Sequence, residues 1–159
     1  MNPIEGLVDR IRNETSDLEI VVENIGNTWS ELQSQPKNQD IYIDSTALRL
    51  HAVYTRLEKI FELISRVIDG TVPAGRTWHR EILKNMSSDI AGSRPAVISA
   101  KTYTNLDELR RFRHLVRNVY THNLDFAKMK PLVEKLPFWF PLLQKELLSF
   151  ANFLDQLEE

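Results

Sequence analysis

The chain has 159 residues, 42 % of them hydrophobic and 26 % charged, and a formal net charge of -2. That balance belongs to a folded protein, and the near-neutral total excludes polyanion binding by bulk charge, so any nucleic-acid site must be local. The lack of cysteine excludes disulfides, thiolate metal sites and cysteine nucleophiles, and the length suits one domain over residues 1–159.

In chain order, Ile4, Leu7, Val8, Ile11, Leu18, Val22, Ile25, Trp29 and Leu32 repeat at three-and-four spacing and predict a long first helix ending before Pro36. A polar loop, Ser34 to Asp40, separates it from a second long helix marked by Ala47, Leu48, Tyr54, Leu57, Phe61, Ile64 and Ile68, which Asp69-Gly70 stops. After the turn-rich Thr71–Gly75 link, Trp78, Ile82, Leu83, Met86 and Ile90 predict a third helix closed at Gly92, and Pro95 is expected to open a short helical turn. Thr104 and Asp107 have the spacing of a capping box for a helix whose stripe is Leu109, Phe112, Val116, Val119 and Tyr120, running to about His122. Pro131, Pro137 and Pro141 are expected to break the chain into short pieces before a last amphipathic helix through Leu143, Leu147, Phe150, Leu154 and Leu157.

Single apolar stripes on long helices bury themselves most simply against one another, so the sequence predicts an all-α antiparallel bundle of about five to six helices. Trp29, Trp78 and Trp139 are read as packing anchors. The N-terminus has no basic segment followed by an apolar run, and no stretch reaches the roughly 18 apolar residues of a spanning helix. A cytoplasmic protein with no membrane segment is therefore expected.

Chemistry concentrates in Asp107–His122. On a helix Arg110, His114, Arg117 and Thr121 follow at spacings of four, three and four, so they share a face able to grip a phosphate. The plainer reading is a solvated basic face paired with Asp107, Glu108 or a neighbouring helix. Arg117 and His122 enclose four residues; an arginine followed by a histidine after four to six intervening positions arises about once by chance in such a chain, so context must carry it. Residues five apart on a strict helix stand about 140° apart around the axis. Either the helix ends near Thr121 or the arginine's length spans the difference.

His51 is read as a partly buried helix residue and His79 as a surface or capping residue; neither has metal-ligand spacing, and no metal or cofactor is predicted. His114 competes for a direct role because it lies one turn from both Arg110 and Arg117. Glu58 is read as a structural partner of the arginine-rich helix.

Arg117-Asn118 followed by His122 resembles the signature of the HEPN superfamily and, within it, the HepT-like ribonuclease toxins: an arginine, a polar residue, then a histidine after four to six positions. Tyr54–Phe61, Trp78–Leu83, Arg94–Val97 and Phe112–Tyr120 extend the resemblance over most of the chain. It implies a metal-independent endoribonuclease, the toxin of a HEPN/MNT toxin–antitoxin system, cutting tRNA or mRNA as a homodimer with paired sites. Arg117 and His122 would be the catalytic pair, with Asn118, His114, Arg110, Arg113 and Thr121 binding or supporting substrate. An MNT-type nucleotidyltransferase antitoxin would be the partner. In that group a tyrosine two positions after the histidine receives AMP; here the position is Leu124, and Tyr120 is the nearest phenol, so direct binding is the alternative mode of control. The rival to an enzyme is a non-catalytic HEPN-like helical dimer, a nucleotide-binding or assembly module using the basic face for docking.

Overall fold

A computed structural model describes residues 2–35, 37–118 and 126–157, with Arg117 and Asn118 described as backbone. Among the described residues it is an all-α bundle of five helices: α1 (Pro3–Ser34), α2 (Gln39–Ile64), α3 (Trp78–Met86), α4 (Ala100–Asn118) and α5 (Phe126–Leu157).

The N-terminal Asn2-Pro3-Ile4-Glu5 starts α1 through a capping box. The Asn2 side chain accepts from the Glu5 N–H at 2.8 Å, the Glu5 carboxylate takes the Asn2 N–H, and Pro3 supplies a preset φ where no donor is needed. α1 runs antiparallel to α2, since Glu14 meets Arg56 and Thr28 meets Arg49. It also runs antiparallel to α5, since Arg12 meets Asp155 while Trp29 stacks on Phe126 at 4.8 Å. Their stripes close a contiguous core that includes Ile11, Leu18, Ile25, Leu57, Phe61, Leu143 and Leu147. Trp29 and Trp139 are buried in it, and Trp78 packs half-buried at its edge.

α2 passes into one π-helical turn, Ser65–Asp69, which Gly70 ends at φ 76, a left-handed conformation that glycine adopts without strain. Four expectations are corrected downstream. α3 stops at Met86, because Ile90 pairs with Arg94 across a tight turn and the Val97 and Ile98 N–H groups take the Met86 carbonyl. Pro95 sits in that extended connection and opens no helical turn. α4 begins at Ala100, a turn earlier than the Thr104 cap: the Ser99 hydroxyl accepts from the Thr102 N–H, while Thr104, inside the helix, donates to the Ala100 carbonyl.

The largest correction is α5, which runs unbroken through Pro131, Pro137 and Pro141. All three prolines face solvent. An interior proline costs roughly 3 kcal/mol. The opposite face buries Met129, Val133, Leu136, Trp139, Phe140, Leu143, Leu147, Phe150 and Leu154, at about 1.5–3 kcal/mol each, so packing outweighs the backbone penalty.

Candidate functional site

α2, α3 and α4 meet at the side chain of Glu58. It is almost wholly buried, at 3 % exposure, and a lone carboxylate there would be costly. Two basic side chains share it. Oε1 accepts from Arg113 Nη1 at 3.0 Å, and Oε2 lies 2.7 Å from His79 Nδ1. A carboxylate can only accept, so Nδ1 carries the hydrogen of that bond and Nε2 is the ring nitrogen able to meet a ligand. One turn before Glu58 on α2, the buried Tyr54 ring lies under the Arg113 guanidinium, 5.5 Å from ring centroid to Cζ. Burial and the neighbouring Glu58 charge push the Tyr54 phenol well above the usual tyrosine range.

His79, Arg110, Arg113 and His114 line a cavity of about 50 Å³ at this junction. Arg110 is aimed by Asp107, whose Oδ1 accepts from its Nε at 2.9 Å; Asp107 Oδ2 lies 2.8 Å from Arg111. The Arg113 Nε is buried and has no hydrogen-bond partner among the described residues.

α3 is anchored from its other end. Arg94, fully buried, forms a two-point pair with Asp69 at 2.7 and 3.0 Å and donates to the carbonyls of Asn85, Ser88 and Pro95. These bonds tie the C-terminal end of α3 to the end of α2, which sets where α3 can present His79.

The structure thus brings together three of the residues expected in the site, Arg110, Arg113 and His114, and adds His79. His79 is corrected from a surface or capping residue to a half-buried partner of Glu58, a contact between positions 21 apart that no local spacing signals. Glu58 is, as expected, a structural partner of the arginine-rich helix. The plainer reading of the basic face holds for Arg110 and Arg111, both paired with Asp107, whereas Glu108 turns instead toward Lys135. His51 is half-buried on α2. The backbone of Arg117 and Asn118 continues α4 one turn past Arg113 and His114. Tyr120, Thr121, His122 and Leu124 lie outside the described residues. Among the described residues no group of three or more His, Asp and Glu could hold a metal ion, and no helix is long and apolar enough to cross a membrane.

A family model described as HepT-like protein matches residues 45–154. The chain belongs to the HepT-like family. It is thereby a member of the HEPN superfamily. The HepT-like match takes in most of α2, all of α3 and α4 and nearly all of α5, and so includes Glu58, His79, Arg94, the arginine-rich helix and His122, while α1 lies outside it. No curated protein and no solved structure matches the chain.

Proposed function

We propose that this HepT-like protein is an endoribonuclease that needs no metal, with Arg117 and His122 as its catalytic pair and with Asn118, Thr121, Arg110, Arg113 and His114 supporting substrate. The observation that carries the reading is the position of the cation-lined cavity: it opens on α4 one turn before Arg117. RNA cleavage without a metal requires the ribose 2′-oxygen to bond to the adjacent phosphorus while the 5′-oxygen leaves. A base removes the 2′ proton, an acid protonates the leaving oxygen, and a cation stabilises the crowded phosphorane-like transition state. Imidazole, with an unperturbed pKa near 6.5, suits both proton transfers. A guanidinium fork matches the phosphate oxygens and stays charged throughout.

Family membership extends this reading to a toxin acting on tRNA or mRNA as a homodimer in the cytoplasm, restrained by an MNT-type nucleotidyltransferase antitoxin. Because Leu124 cannot accept AMP, the antitoxin would act by direct binding. The single-domain organisation over residues 1–159 belongs to the same proposal.

The test is incubation of the purified protein with total tRNA in EDTA. Cleavage is expected to survive chelation and to fall by about 10²- to 10⁴-fold in Arg117→Ala and in His122→Ala, the usual weight of a positioned proton-transfer group. Equal cleavage by the wild type and both variants would sink the assignment. One observation favours the rival, a non-catalytic dimer that docks through its basic face: Arg110 and Arg113 are already paired with Asp107 and Glu58. Folded protein that binds RNA but leaves it intact would establish that rival.

A further inference from the structure

The cavity beside Glu58 is lined by arginine and histidine side chains whose chemistry points to a ligand. We infer that His79, Arg110, Arg113 and His114 form a binding site for a single phosphoryl oxyanion, and that in the proposed nuclease it holds an RNA backbone phosphate next to the one being cut. The part concerning RNA rests on the ribonuclease reading; the oxyanion site does not.

Three observations converge. The first is size. At about 50 Å³ the cavity is small, on the scale of one tetrahedral oxyanion or a few waters. The second is unused hydrogen-bonding capacity. Arg113 is nine-tenths buried, spends Nη1 on Glu58 and lines the cavity, yet its Nε–H has no partner among the described residues. A buried guanidinium donor left unpaired is costly unless something accepts from it. The third is preorganisation. Glu58 fixes two members of the wall at once, holding Arg113 by Oε1 and the His79 ring by Oε2, while Asp107 aims Arg110. Donors already locked in place bind a phosphate without a further ordering cost.

Position supplies the link to RNA. Arg113 and Arg117 are one turn apart on α4, a rise of about 6 Å along the axis. A strand lying along that helix would place one phosphate at Arg117 and a neighbouring one at the cavity, while the bases stay outside it.

The test uses the four histidines as reporters. Inorganic phosphate is titrated into the full-length protein while the imidazole nitrogen signals are followed by NMR. Saturable shifts of the His79 and His114 signals are expected at millimolar phosphate, with His51, two turns from Glu58, unmoved. His79→Gln and Arg110→Gln should each weaken phosphate about tenfold. Arg113→Lys keeps the charge facing Glu58 but removes the planar fork and its Nε donor, and should weaken phosphate by a similar factor. Should Arg113→Lys fail to fold, the other two variants carry the test. No saturable response at His79 in folded protein, or an unchanged phosphate affinity in the variants, would overturn the site.

A second titration, in the His122→Ala background, adds a single-stranded oligoribonucleotide. It is expected to displace phosphate from the His79 signal and to bind about tenfold more weakly when His79→Gln is added. If phosphate stays at His79 while RNA binds elsewhere, the site serves free phosphate and the RNA assignment fails. Cleavage by the wild type with a silent His79 would leave the nuclease standing and end the subsite. Phosphate and RNA binding at His79 with no cleavage by the wild type would do the reverse.

Discussion

Two buried arginines stand near opposite ends of α3 and are treated by the fold in opposite ways. Arg94 has all five of its N–H donors engaged, two on Asp69 and three on backbone carbonyls. Arg113, also buried, has Nη1 on Glu58, its face over Tyr54 and an Nε–H with no partner among the described residues, and its side chain lines a cavity. Both pair with a buried carboxylate, so charge and burial do not separate them. What separates a structural clamp from a candidate binding group here is donor capacity held back from the fold, next to space that a ligand can enter.

The contrast is broken most severely at the saturated end. Arg94→Met removes every partner but leaves Asp69 buried, and should cost about 3–5 kcal/mol. That corresponds to a fall in Tm of roughly 10 °C or more by calorimetry. A drop of only a degree or two would show that Arg94 is no clamp.

Arg113→Met should cost less, about 1–3 kcal/mol in urea unfolding, because Glu58 keeps His79 as a partner. Its effect on RNA binding should exceed its effect on stability. A loss as large as that of Arg94→Met would place Arg113 in the same structural class.

Tyr54→Phe sharpens the comparison beneath Arg113. The phenol oxygen is buried with no partner among the described residues, so its removal should be neutral or stabilising by up to about 1 kcal/mol. Burial keeps Tyr54 protonated in the fold beyond the pH at which the unfolded chain loses that proton, near its ordinary value of 10.0. The contribution of Tyr54 to stability is therefore intact below that pH and is lost as pH rises further, since the unfolded chain then releases a proton that the folded one retains. Urea unfolding between pH 9 and 11 should show a shallower alkaline decline in Tyr54→Phe than in the wild type. Identical slopes would mean the phenol is not held neutral by the fold.

The smallest effect is expected at the solvent-exposed pair joining α1 to α5. Asp155→Ala should change stability by less than about 1 kcal/mol, because Arg12 and Asp155 are both more than a third exposed and screened by water and salt.

Much of the bundle was legible in the sequence because three-and-four spacing of apolar residues is a local property. It located α1 and α2 to within a few residues and recognised the arginine-rich helix. Two helix starts depend on caps that apolar spacing does not register. Asn2-Pro3-Ile4-Glu5 carries a complete N-terminal cap, and the Ser99 hydroxyl, not the Thr104–Asp107 pair, holds the start of α4. The site was legible where it is helical: Arg110, Arg113 and His114 follow one another at three- and one-residue steps, and their helix brings them to one cavity.

The sequence by itself determined the helical class, the stripes that build the core and the cations available on α4, because each depends on neighbours within a turn or two. Tertiary structure alone decided that α5 stays whole through three prolines, since only packing against α1 and α4 supplies enough burial to offset them. It alone made His79 a member of the site. A carboxylate on α2 that must find partners inside the core drew in an arginine 55 positions away and a histidine 21 positions away, and no periodicity records a bond between elements so far apart in the chain.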